Sequence, residues 1–221
     1  MEDKIIQDDI LKPNFNKEEV TGFLKNSLPE ILKTYFTEPV TGTYNLFKNA
    51  DNKVYQNSIV IISVTALLYI FVPYLLAGEM RSYLPFSSFI KLGLGIALFQ
   101  VVVSIVAFGV KSISGKPTFK RELLTGALCG LPLILMLTVL IVGKIFISNL
   151  DINDMLNISA FGNLKLLVIP ALFFPLLLIN TLLQSFRASG VKETIGWYAA
   201  PIAVGIAFYL TRILITEILF T

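Results

Sequence analysis

Between Glu122 and Lys144 lie 21 residues without a formal charge, LLTGALCGLPLILMLTVLIVG. An α-helix needs about 20 predominantly apolar residues to cross a hydrocarbon core. This run therefore reads as a membrane span. The polar segment just before it, KSISGKPTFKRE, puts Lys111, Lys116, Lys120 and Arg121 at one mouth of that span. Once one segment is buried in lipid, its neighbours must also satisfy their backbone groups internally, and the basic residues set the direction of each crossing.

Composition agrees with a lipid solvent. Of the 221 residues, 55% are hydrophobic and only 15% charged, with a mean hydropathy of +0.74. Soluble domains carry about 25% charged residues. The apolar residues are gathered into five long blocks after a polar first quarter, so the chain reads as all-α: an N-terminal extension over 1–52 and a five-helix membrane domain over 53–221. The spans are expected at about 56–77, 89–110, 123–144, 165–186 and 195–216.

The chain has no histidine, and its single cysteine, Cys129, lies inside an apolar run. An intrachain disulfide is impossible. Zinc and haem sites, Ser-His and Cys-His nucleophile pairs and imidazole relays lose their usual ligand or base. No cofactor or metal is expected. A net charge of +3, with acidic and basic residues mixed, gives no case for a nucleic-acid partner.

Residues Met1–Lys12 have neither the basic start nor the apolar core of a signal peptide, so the N-terminus is expected in the cytoplasm. From Lys17, Val20, Phe23, Leu24, Leu28, Ile31, Leu32, Tyr35 and Phe36 recur at helical spacing, with Pro29 suited to the first turn of a second short helix. Glu38-Pro39 breaks the run, and Val40, Tyr44 and Phe47 form a further stripe. Two placements fit such helices: in the headgroup plane, or on the cytoplasmic ends of the spans.

Several features inside the spans bear on packing. Gly126 and Gly130 have GxxxG spacing, and Ala199, Ala203 and Ala207 form a small-residue seam; both are expected to be helix-packing faces, the first also suited to self-association. Pro170 and Pro175 predict a broken or strongly bent fourth span, with Asn180, Thr181 and Gln184 satisfying freed groups. Asp151 and Asp154 belong to a polar loop where helix capping is a plainer role than metal binding. Arg212 lies near the far edge of the last span, within snorkelling reach of Glu217's level.

Counting Lys and Arg near the span ends gives eight on one side (Lys48, Lys53, Lys111, Lys116, Lys120, Arg121, Arg187, Lys192) and five on the other (Arg81, Lys91, Lys144, Lys165, Arg212). The expected orientation is N-terminus cytoplasmic, C-terminus outside.

The pre-span segment YFTEPVTGTYNLFK, the turn SGKPTFKRELLTGALCGLP and the turn RASGVKETIGWYAAP resemble the Yip (Ypt-interacting protein) domain family, in particular its bacterial members. The Asp-Leu-Tyr-Gly-Pro type motif of eukaryotic members is absent; Glu38-Pro39 is the nearest remnant. The resemblance implies a non-enzymatic multi-pass scaffold in a bacterial plasma membrane, with lipid and other membrane or cytoplasmic proteins, or further copies of the chain, as partners. Phe23, Tyr35, Phe36, Pro39, Tyr44, Lys116, Lys120 and Arg121 are the expected partner-binding residues. The competing expectation is a transporter or channel subunit for a neutral or hydrophobic cargo, with its path along Pro170, Pro175, Asn180, Thr181 and Gln184. Enzymatic activity is not expected, since the carboxylates after Glu79 divide between the two membrane faces.

Overall fold

The computed structural model describes residues 17–50, 53–114, 117–146 and 161–219. Helices account for nearly all of them, with no strand among the described residues. Three short helices come first: α1 (Lys17–Gly22), α2 (Leu28–Thr37) and α3 (Thr41–Lys48). Five long ones follow: α4 (Val54–Leu76), α5 (Phe86–Ser114), α6 (Phe119–Phe146), α7 (Phe161–Ala188) and α8 (Glu193–Leu219). Each begins before and, apart from α4, ends after its expected span, because the helical hydrogen-bond ladder runs past the apolar stretch that marks a span in sequence.

Four of the long helices, α4, α5, α6 and α8, are long and apolar enough to cross a membrane. In α7, Leu172–Ala188 forms a shorter apolar helix among the described residues. The bundle is thus that of an integral membrane protein. The loop holding Asp151 and Asp154, the first 16 residues and Lys116 lie outside the described residues.

The middle of the bundle is α6. Every residue from Glu122 to Leu133 is buried, because α4, α5 and α7 all pack against this one helix. A helix that is apolar all round belongs in such a position. Gly126 and Gly130 make the closest approach possible. A methyl group at Gly126 would fall on the Gln100 carbonyl and the Ser104 hydroxyl, and one at Gly130 would lie 2.6 Å from Gln100 Oε1. The GxxxG spacing therefore serves contact between α5 and α6 within the chain. On α8, Ala203 and Ala207 are buried, and Ala199 packs beside them at the edge of the same core.

Of the broken or strongly bent fourth span expected, the break is absent: α7 is one continuous helix through Pro170 and Pro175. Proline removes one N–H and crowds one carbonyl, and neighbouring helices in lipid can carry that loss without breaking the ladder. The same holds at Pro73, Pro132 and Pro201, each inside a helix. Helix α7 stops where Gly190 adopts φ +80°, letting the Val191 N–H reach back to the Phe186 carbonyl at 3.1 Å. This is the left-handed turn that glycine terminates helices with.

Of the two placements open to the N-terminal helices, the structure shows packing on the bundle. Phe23, Tyr35 and Phe47 are buried and share a core with Ile61, Leu124 and Leu128. Pro29 sits in the first turn of α2, as its position predicts. Since it cannot donate a hydrogen bond, the chain before it widens into a π turn over Phe23–Ser27, in which the Leu28 N–H bonds to the Phe23 carbonyl.

Candidate functional site

Only four residues separate the end of α5 from the start of α6, so the two helices run antiparallel in a fixed register. Residues equally far from its middle face each other. Lys111, three from the end of α5, meets Glu122, three from the start of α6, with Nζ 2.5 Å from Oε2. Both side chains are within 5% of complete burial. An ion pair is thus enclosed at this end of the bundle.

Burying a carboxylate and an ammonium is unfavourable unless their remaining hydrogen-bonding capacity is met. Here it is met by hydroxyls. Lys111 also donates to Ser185 Oγ on α7 at 2.7 Å, Ser185 Oγ donates to Thr125 Oγ1 at 2.6 Å, and Thr125 Oγ1 donates to Glu122 at 3.3 Å. Three helices are locked together by this network. A cavity of about 290 Å³ lies over it, bordered by Phe47, Thr118, Arg121 and Ser189.

The Lys111–Ser185 contact has the spacing of a base and a nucleophile, but its electronic arrangement is different. An ammonium that donates to a carboxylate and to a hydroxyl has no lone pair with which to accept the serine proton. The arrangement clamps rather than activates.

Next to the clamp, the N-terminal helices are seated on α7. The Tyr35 hydroxyl, wholly buried, lies 2.6 Å from Thr181 Oγ1 and 3.4 Å from the Leu177 carbonyl. Burial pushes this hydroxyl above the ordinary tyrosine range, with the Thr181 hydrogen bond acting the other way. Asn180 Nδ2 donates to the Pro39 carbonyl at 2.6 Å. Residues expected on two separate sites are thus brought together: Tyr35 and Pro39 from the partner-binding set meet Asn180 and Thr181 from the transport path. They form an internal interface, which we call the collar contact.

The other expected residues divide. Phe23 faces the core beside Tyr35, while Phe36 remains 39% exposed. Tyr44 is half-buried, with the Lys48 ammonium 5.8 Å and the Arg187 guanidinium 5.7 Å from its ring centroid. Lys120 lies over the Tyr55 ring at 5.9 Å, and Arg121 reaches the Phe47 carbonyl at 3.4 Å. Gln184 is buried, its amide donating to Asn180 at 3.2 Å. The Gln184 Oε1 atom has no hydrogen-bond partner among the described residues.

Sequence reasoning missed the pairing of Lys111 with Glu122, although the turn midpoint between α5 and α6 would have put them opposite each other. The link from Tyr35 to Thr181 had no such signal. Among the described residues, no group of three or more acidic, cysteine or histidine side chains is placed to hold a metal. No protein-family model, curated protein or solved structure matches this chain.

Proposed function

We propose that this chain is a non-enzymatic membrane scaffold with five spans, α7 being the fourth, oriented with its collar on the cytoplasmic side of a bacterial plasma membrane. Its work is to organise or recruit partners there, in the manner that the resemblance to the Yip family implies. The observation that carries this reading is the collar itself. It is committed to the bundle through Tyr35, Phe23 and the Pro39 carbonyl, while its outer side exposes Phe36 and presents Tyr44 with the cations Lys48 and Arg187 over its ring and Arg121 at the Phe47 carbonyl. A surface that is rigidly held yet chemically distinctive suits recognition better than turnover. The clamped Lys111 supports the absence of catalysis.

The test is cross-linking in native membranes from the full chain carrying Lys48→Glu and Arg187→Glu. Scaffolding through the collar requires the cross-linked partner to be lost while the purified protein stays monodisperse and melts as the parent does. An unchanged cross-linking pattern would sink the proposal.

A second reading, transport of a neutral or hydrophobic cargo, is favoured by the unpartnered Gln184 Oε1. It stands beside a cavity of about 290 Å³ between α7 and α8, lined in part by Leu183, Gln184 and Trp197. If that cavity carries cargo, Gln184→Leu abolishes uptake into reconstituted vesicles.

A further inference from the structure

At the end of the bundle away from Lys111, α5 and α8 flank a half-open cavity of about 720 Å³. That volume falls within the ~300–1,000 Å³ typical of small-molecule sites. Its chemistry is graded along its length. The inner end is closed by Phe99, Phe208 and Leu133, the two phenyl rings stacking at 4.8 Å between centroids. Ile96 and Ile215 line the walls. Toward the helix ends, the lining changes to Lys91 and Arg212, with Ser87 and Thr216 beyond them.

The length is also informative. From Ser87 to Phe99 is about 18 Å of helix at ~1.5 Å per residue, close to the ~15 Å depth of one leaflet's hydrocarbon. Lys91 stands eight residues, about 12 Å of helix, outward of Phe99, and Arg212 four residues, about 6 Å, outward of Phe208, from where its long side chain can reach further toward the mouth. A slot with an apolar floor and two cations toward its mouth matches one kind of occupant. We propose that it binds an anionic phospholipid, with an acyl chain lying along Ile96 to Phe99 and the phosphate between Lys91 and Arg212. Thr211, buried to 5% and lining the same cavity, has a hydroxyl without a partner among the described residues. It offers a further donor on rotation about χ1. Glu217 is exposed at the same end of α8. The inference needs only that the bundle is in lipid, and stands whether or not the collar recruits a partner.

The experiment uses the full chain in a neutral detergent, incubated with equal amounts of dioleoyl-phosphatidylglycerol and dioleoyl-phosphatidylcholine, with retained lipid counted by native mass spectrometry. Two basic side chains near the phosphate favour the anionic lipid by about tenfold or more. The double variant Lys91→Gln, Arg212→Gln should bring the ratio close to equality. Leu92→Trp, which fills the slot from its exposed side, should lower retention of both lipids with the charges intact. Equal retention by the parent protein, or an anionic preference that survives the double variant, overturns the proposal. Displacement of the retained lipid by inorganic phosphate alone does so too, because it would show a phosphate site in which the acyl chain plays no part.

Discussion

The two ends of α5 carry one lysine each near the membrane boundary, Lys111 and Lys91, separated by 20 residues or about 30 Å of helix. Their fates differ. Lys111 is enclosed, paired with Glu122 and bonded to Ser185, under a collar of helices. Lys91 borders an open cavity opposite the exposed Arg212. The residue type is the same, so the difference comes from what the neighbouring helices supply. At the first end, α6 and α7 bring a carboxylate and two hydroxyls; at the other, α8 brings a second cation. A charge enclosed with its counter-charge fastens helices to each other, whereas two cations bordering an open cavity present a lining that an anionic group from outside fits.

This contrast is broken most forcefully at Glu122. Glu122→Leu leaves the Lys111 ammonium buried without its counter-charge, a change that destabilises by about 3–5 kcal/mol when one partner of an enclosed pair is removed. Adding Lys111→Met should recover most of the loss, since an apolar pair of similar volume is often neutral or better. Thermal unfolding of the detergent-solubilised single and double variants measures both. A double variant as unstable as the single one would show that the ion pair is not what joins α5 to α6.

A smaller effect is expected at the collar. Tyr35→Phe removes the hydroxyl but leaves Thr181 its bond to the Leu177 carbonyl at 2.8 Å, so no buried donor is orphaned. The loss should be about 1 kcal/mol, the net worth of one neutral hydrogen bond. It should appear as faster protease cleavage within residues 17–50 with little change in the melting of the bundle. Coincident loss of both would mean that collar and bundle unfold as a single unit.

The smallest effect belongs to the open end. Arg212→Gln should change stability by less than about 0.5 kcal/mol, as exposed substitutions usually do. Equal sensitivity of Glu122 and Arg212 in the same melting assay would erase the distinction between the ends.

Much of this architecture is legible in the residues alone. Uncharged runs locate the long helices, Pro29 marks the start of α2, and the spacing of Gly126 and Gly130 identifies a close helix contact. Proline was a poorer guide, because a helix surrounded by other helices can lose a hydrogen bond at Pro170 or Pro175 without coming apart. Polar residues within spans were poorer still. Asn180 and Thr181 suggest a path when seen along α7 alone, yet their partners are Pro39 and Tyr35, and nothing local to either segment announces the other. Glu122 was legible only in part: its position flanking the apolar run is plain, but its enclosure depends on three helices arriving around it.

The distance along the chain between Tyr35 and Thr181, 146 residues, also sets an order of events. At synthesis rates of about 5–20 residues per second, the segment bearing Tyr35 leaves the ribosome on the order of ten seconds before its acceptor exists. During that interval its apolar face can meet only the earlier helices, whose Ile61, Leu124 and Leu128 share its core. The bond from Tyr35 to Thr181 is therefore a late step in assembly, and its formation reports that the fourth long helix has arrived.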